Sequence, residues 1–233
     1  MPPMLGSSHR RTFVGRLAAG AAALGAALAA ESAPLRAMTP SNEDKPIRHP
    51  QDDWLDAIPG SHRLFFDAVS AAGAGGALGY SNNFALANKS GYGLEATALA
   101  RVICYRHFAT LFAFTDAAWA KYGTVWGALL DFKDPDTKAA PVRNVWNATG
   151  LPGMQPNLGV TIASAVASGV HFAVCDMATH FFAGATASKT GAKADDIYAE
   201  LKASAIGNAH FVPAGIVAVN RAQERGYTFA YVG

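Results

Sequence analysis

Cys175 is followed directly by Asp176 and, a helical turn later, by His180, while Arg106 and His107 follow an apolar run that contains Cys104. A thiol is a nucleophile and a soft metal ligand once it is deprotonated. An imidazole carries protons near neutral pH, and a guanidinium stabilises negative charge. Cys175, supported by His107 and Arg106, is therefore the candidate reactive centre. His107, His180 and Asp176 are the candidate cofactor ligands, and His107, Cys175 and His180 together would suit a metal ion or haem. No close-set pattern such as C-x-x-C or H-E-x-x-H accompanies them, so no metal site is assigned. Each residue also has a plainer reading. Cysteine is among the most buried residue types, and Cys175 fits an inert core thiol as well. Cys104 reads as core. His107 suits a structural histidine equally well, His171 reads as structural, and His210 reads as a loop residue. Gly73, Gly75 and Gly76 would need another glycine where Leu78 stands to make a dinucleotide fingerprint, so they read as a glycine turn. No G-x-S-x-G elbow or phosphate-binding loop is present.

The elements around these residues give them a common address. His62–Ser70 reads as a first strand, broken by the Ala71–Gly76 run, with a helix over 77–89. Leu99–Tyr105 is a near-continuous apolar run of the kind buried on both faces of a sheet. Thr115-Asp116 opens a helix that Gly123 closes. Asn157 caps a helix that runs to Ser168 and stops at Gly169. Val170–Cys175 reads as a third strand, followed by helices from about Ala178 and over Asp195–Ala205. Pro213 starts a helix that ends at Gly226, and Tyr227–Val232 is the last strand. Strands alternating with helices predict a single three-layer α/β domain, with a mainly parallel sheet of about four or five strands flanked by helices. Ligands of such sheets bind at the carboxyl ends of the strands. That is where Val69, Ser70, Arg106, His107, Cys175 and Asp176 fall. A Cys104–Cys175 disulfide needs Cα atoms within ~7 Å, and a sheet with the first strand between the second and third would hold them too far apart. Residues 124–157, with four prolines, Trp126 and Trp146, break the rhythm. They read as an insertion over one sheet edge, an ordered lid or an oligomer contact.

Of 233 residues, 51% are hydrophobic and 15% charged, which allows a real core. The formal charge of +2 rests on Arg10, Arg11 and Arg16; without them 16 basic side chains face 17 acidic ones. A near-neutral domain without a basic cluster argues against nucleic-acid binding. The segment Ser8–Val14 with its paired arginines, the Ala-, Gly- and Leu-rich run to Ala30 and Ala27-Leu28-Ala29 have the three parts of a twin-arginine signal peptide over residues 1–30. The predicted location is therefore the periplasm. Contact with a membrane is expected only through an uncleaved leader, since the run is short for a span. Residues 31–59, rich in proline, read as a flexible tether, and 60–233 as the folded domain.

Several segments together resemble the DsrE/DsrF-like family: His62-Arg63 to Ser70, Arg106-His107 with Phe112-Ala113-Phe114, Trp119 to Gly123, Gly169-Val170 to Cys175 with Met177-Ala178-Thr179, and Val212-Pro213-Ala214-Gly215 to Gly226-Tyr227. The likeness covers about residues 60–233. It implies a small parallel sheet with flanking helices, a homo-oligomer or a protein partner, and, on the pattern of the sulfur-transferring members, a persulfide carried on the cysteine after a central strand, here Cys175. The expectation is thus an exported thiol-based sulfur carrier. The alternative is a non-catalytic subunit that holds a ligand, haem or a partner chain.

Overall fold

The computed structural model describes residues 46–148, 151 and 156–233. The expected leader and most of the expected tether lie outside the described residues. The end of the tether does not stay loose. A 3₁₀ turn at Pro50–Asp52 leads into helix α1 (Asp53–Ala57). Leu55 and Ile58 are buried, and the Leu55 carbonyl accepts hydrogen bonds from Tyr227 Oη at 2.8 Å and Arg63 Nη1 at 2.9 Å. The domain therefore begins near Arg48 rather than residue 60.

Strand β1 (His62–Ala68) is followed by helix α2 (Ala71–Tyr92), and strand β2 (Leu99–Tyr105) by helices α3 (Asp116–Leu130) and α4 (Ile162–Ala167). Strand β3 (His171–Cys175) leads into α5 (Asp176–Thr190) and α6 (Ala194–Ala203). Strand β4 (Ala209–Val212) precedes α7 (Gly215–Gln223), and β5 (Thr228–Val232) completes the set. The five strands form one sheet in the order β4-β3-β2-β1-β5, and every pairing is parallel. The predicted three-layer α/β domain is what is found. The chain steps from β1 to β4 in one direction and returns to the far side of β1 for β5. Right-handed crossovers then demand that α7 lie on the face opposite the earlier helices. Side-chain alternation agrees. Phe66, Ile103, Tyr105, Phe172 and Val174 pack with α2 to α6, whereas Phe65, Val102, Cys104, Ala173 and Val212 pack with α7 and α1.

Several elements differ from the sequence reading. The glycines at 73, 75 and 76 are not a turn. They lie in the first turns of α2, whose N-cap Ser70 accepts from the Gly73 N–H. A Cβ at Gly73 would stand 2.4 Å from the Val232 carbonyl oxygen, so glycine lets this helix press onto β5. Gly123 does not close α3 either. It lies mid-helix, where a Cβ would meet the Pro141 carbonyl oxygen at 1.9 Å, and the helix runs on to a left-handed Asp131. Thr161, not Asn157, caps α4 in a reciprocal capping box with Ser164. His210 lies on β4, a strand missed by the sequence reading. Pro213 precedes α7 without being part of it.

The two tryptophans of the 124–157 segment do not sit on the surface as a lid would carry them. Trp126 and Trp146 are buried, and Trp126 stands edge-on to Trp119 at 5.0 Å. Trp126 Nε1 donates to Thr186 Oγ1 at 3.0 Å, and Trp146 Nε1 to the Ala71 carbonyl at 2.9 Å. Trp126 faces inward because α3, longer than expected, carries it across the core, and Trp146 lies on a 3₁₀ turn at Val145–Asn147. Among the described residues, no helix is long and apolar enough to cross a membrane.

Candidate functional site

Strands β2, β3 and β4 end side by side, and the chain leaves each differently. After β2, Arg106 is extended and His107 turns left-handed at φ 53°. That conformation is uncommon for a residue with a side chain. After β3, Cys175 is the N-cap of α5 and its backbone passes straight into the helix. After β4, Ala214 is the N-cap of α7. Neither helix has a side-chain cap, and the Met177 N–H donates to the Pro213 carbonyl at 3.3 Å, tying the two helix starts together. Between them opens a cavity of about 410 Å³. Arg106, His107 and Cys175 line it, with Phe108, Met177, Phe181, Phe182 and Ile216 as its apolar walls.

Cys175 is 7% exposed, at the inner end of this opening. By alternation along β3 it shares a face with Ala173, and so with Cys104, which pairs with Ala173. The two cysteines stand on neighbouring strands, offset by two residues. β2 and not β1 is the neighbour of β3, which corrects the reason expected for their separation. A strand spacing of ~4.8 Å and a rise of ~3.3 Å per residue put their Cα atoms roughly 8 Å apart, beyond disulfide reach. Both are free. Cys104 is fully buried, with Sγ 3.9 Å from the Gly215 carbonyl. Burial, followed by the nearby Asp67, pushes its thiol well above the ordinary range, so it is the structural cysteine of the two.

Arg106 is not a free cation. Its Nε and Nη2 bind the two carboxylate oxygens of Asp67 at 2.7 and 2.8 Å, and the Asp67 side chain is 2% exposed. The Asp67 hydrogen bond raises Arg106 further above its usual value. Any help that Arg106 gives to an anion in the cavity comes from the edge of a guanidinium already in an ion pair. Sequence reading missed Asp67, although an acid inside the apolar run His62–Ala68 was a signal that something had to pair with it.

Asp176 and His180 do not join the cavity lining. His180 Nε2 lies 3.6 Å from Asp176 Oδ2, and its ring stacks on Tyr198 at 3.8 Å. Tyr198 Oη donates to Asp176 Oδ1 at 2.9 Å, and Lys202 approaches at 3.5 Å. These groups fasten α5 to α6. The trio His107, Cys175 and His180, expected for a metal or haem, is therefore not assembled. His107 stays with Cys175, while His180 is drawn to the neighbouring helix by an acid at i−4 and a stacked ring.

At the other end of β3 and β4, His171 Nδ1 and His210 Nε2 are 3.0 Å apart, and the His210 ring stacks on Trp54 at 4.0 Å. Burial, then the charge of His171, brings His210 down to about 4. The folded state thus binds this proton less readily than the unfolded chain, whose histidine titrates near 6.5. This contribution to stability is complete above about pH 6.5 and is lost as pH falls through about 4. With the half-exposed ring discounted for solvent, about 1–2 kcal/mol is expected. It would be read as a lower urea midpoint at pH ~4.5 than at pH ~7, and His210→Phe, which keeps the stack, flattens the difference. A parent midpoint with no such fall would refute the assignment.

No protein-family model, curated protein or solved structure matches the chain.

Proposed function

We propose that the protein is a thiol-based sulfur carrier that takes up sulfane sulfur on Cys175, as the resemblance to the DsrE/DsrF-like family implies, and that it works in the periplasm. The observation that supports this most is that Cys175 lines an open cavity at the carboxyl ends of the strands, beside Arg106 and His107, instead of being closed off among aliphatic neighbours. Cys175 also holds the N-cap position of α5, the end of a helix where the backbone dipole favours negative charge. In the step itself, the Cys175 thiolate attacks the outer sulfur of a donor R–S–SH. A new S–S bond forms on Cys175, the donor S–S bond breaks, and R–S⁻ leaves and takes a proton from water. The transferred sulfur keeps its own proton, and no outside oxidant is needed. Release to an acceptor thiolate is the same exchange in reverse.

Exposing the protein to a sulfane-sulfur donor should add sulfur to Cys175, seen by peptide mass spectrometry, with Cys104 unmodified and Cys175→Ser inert. No added sulfur on Cys175, or a Cys175→Ser variant that behaves like the parent, removes the proposal.

The second reading is a non-catalytic subunit that holds a ligand, haem or a partner chain, within a homo-oligomer or with another protein. The exposed Phe108, Met177, Phe181 and Ile216 around the cavity favour it. A coloured or ligand-laden purified protein with an unreactive Cys175 would support it over the carrier.

A further inference from the structure

We infer that the sulfur donor is a small apolar persulfide, one whose sulfur is borne on an alkyl or aromatic body; this rests on the carrier reading of Cys175. The walls of the cavity set the chemistry. Of the eleven residues that line it, Arg106 alone carries a fixed charge, and the buried Asp67 carboxylate at 2.7 Å matches that charge. Apart from the His107 imidazole and the Cys175 thiol, the side chains that remain are apolar. Phe108, Met177, Phe181 and Ile216 are 49%, 68%, 65% and 62% exposed, yet all four converge on this one opening. Met177 and Phe181 are one helical turn apart on α5, so the helix presents them as a pair. A ligand that covers these side chains removes from water the apolar surface that the fold leaves exposed there.

Size and depth narrow the class further. About 410 Å³ is the room of roughly a dozen waters, enough for a small molecule. Cys175 is 7% exposed, so the donor sulfur must pass the aromatic rim to reach it. A persulfide on a flat protein surface has no arm to do this. Glutathione persulfide would bring two carboxylates and an ammonium against apolar walls, where their lost hydration is not repaid. Thiosulfate, a dianion, would meet a site whose one fixed cation is already matched by Asp67.

The test measures the initial rate of sulfur addition to Cys175 by mass spectrometry with four donors: benzyl persulfide, glutathione persulfide, thiosulfate, and a protein bearing a surface cysteine persulfide. Each rate is divided by that of an unstructured cysteine peptide with the same donor, which removes intrinsic reactivity. The normalised rate with benzyl persulfide should exceed each of the others by about tenfold or more, the size of selectivity that one buried apolar group confers. Phe181→Ser, at a position exposed enough to leave the fold intact, should narrow the benzyl-to-glutathione ratio severalfold. Equal normalised rates, or a faster reaction with glutathione, thiosulfate or the protein donor, overturn the inference and leave the carrier reading standing. No sulfur on Cys175 from any of the four overturns both.

Discussion

Arg106→Met should lower the stability of the fold by about 3–5 kcal/mol in urea denaturation near neutral pH, the usual cost of stranding a buried charge. The Asp67 carboxylate is 2% exposed and receives two guanidinium hydrogen bonds. Its partner across the β1–β2 ladder is Cys104, which cannot replace them. Without Arg106 the carboxylate stays where water does not reach it. The reverse change, Asp67→Leu, should cost less, because the Arg106 side chain is 18% exposed and can turn outward. The double variant Asp67→Leu with Arg106→Met should recover much of the loss, since an apolar pair of similar volume often does as well as a buried ion pair. A loss under about 1 kcal/mol for Arg106→Met would mean that the pair behaves as a hydrated surface bridge.

Trp126→Ala is expected to cost a similar 3–5 kcal/mol, the range for truncating a large aromatic in a core. Trp126 is fully buried, packs on Trp119, Tyr122 and Phe114, and gives its indole N–H to Thr186 on α5. The change would open a void between α3 and α5 and leave the Thr186 hydroxyl without this partner. A lid or subunit-contact tryptophan would behave differently, with little effect on unfolding of the isolated chain. Urea denaturation at two protein concentrations separates the cases: a large loss independent of concentration supports the core position, and an unchanged midpoint contradicts it.

The parts of the fold that could be read from the sequence are those where one physical signal dominates. Leu99–Tyr105 is apolar at nearly every position because β2 is covered on both faces, and its limits were found to the residue. Cys175 at a strand end followed from the apolar run that stops there, and with it the carboxyl-edge site. The misreadings come from positions where tertiary contacts override local preference. Glycine near Ala71 signals a break to any local rule, yet Gly73 lies in the first turn of α2, where the chain of β5 passes too close for a side chain. β4 has four residues, three of them partly exposed and one a histidine, so it carries no clear alternation. Its strand state comes from pairing with β3. The neutralisation of Arg106 depends on a ladder that sets β1 beside β2, and the departure of His180 from the cavity depends on Tyr198 of α6. Neither was visible in spacing along the chain.

The pairing of β1 with β5 also orders events in time. β1 through β4 can assemble as successive neighbours, each pairing spanning fewer residues than β1 with β5 does. Leu64 and Thr228, in contrast, join across roughly 160 residues, the most entropically demanding closure in the sheet. Until that contact forms, one edge of β1 offers unpaired amides and carbonyls with the bulk of Phe65 and Phe66 behind them. A chain in which β5 has not yet docked therefore carries an additional open edge that the finished sheet does not have.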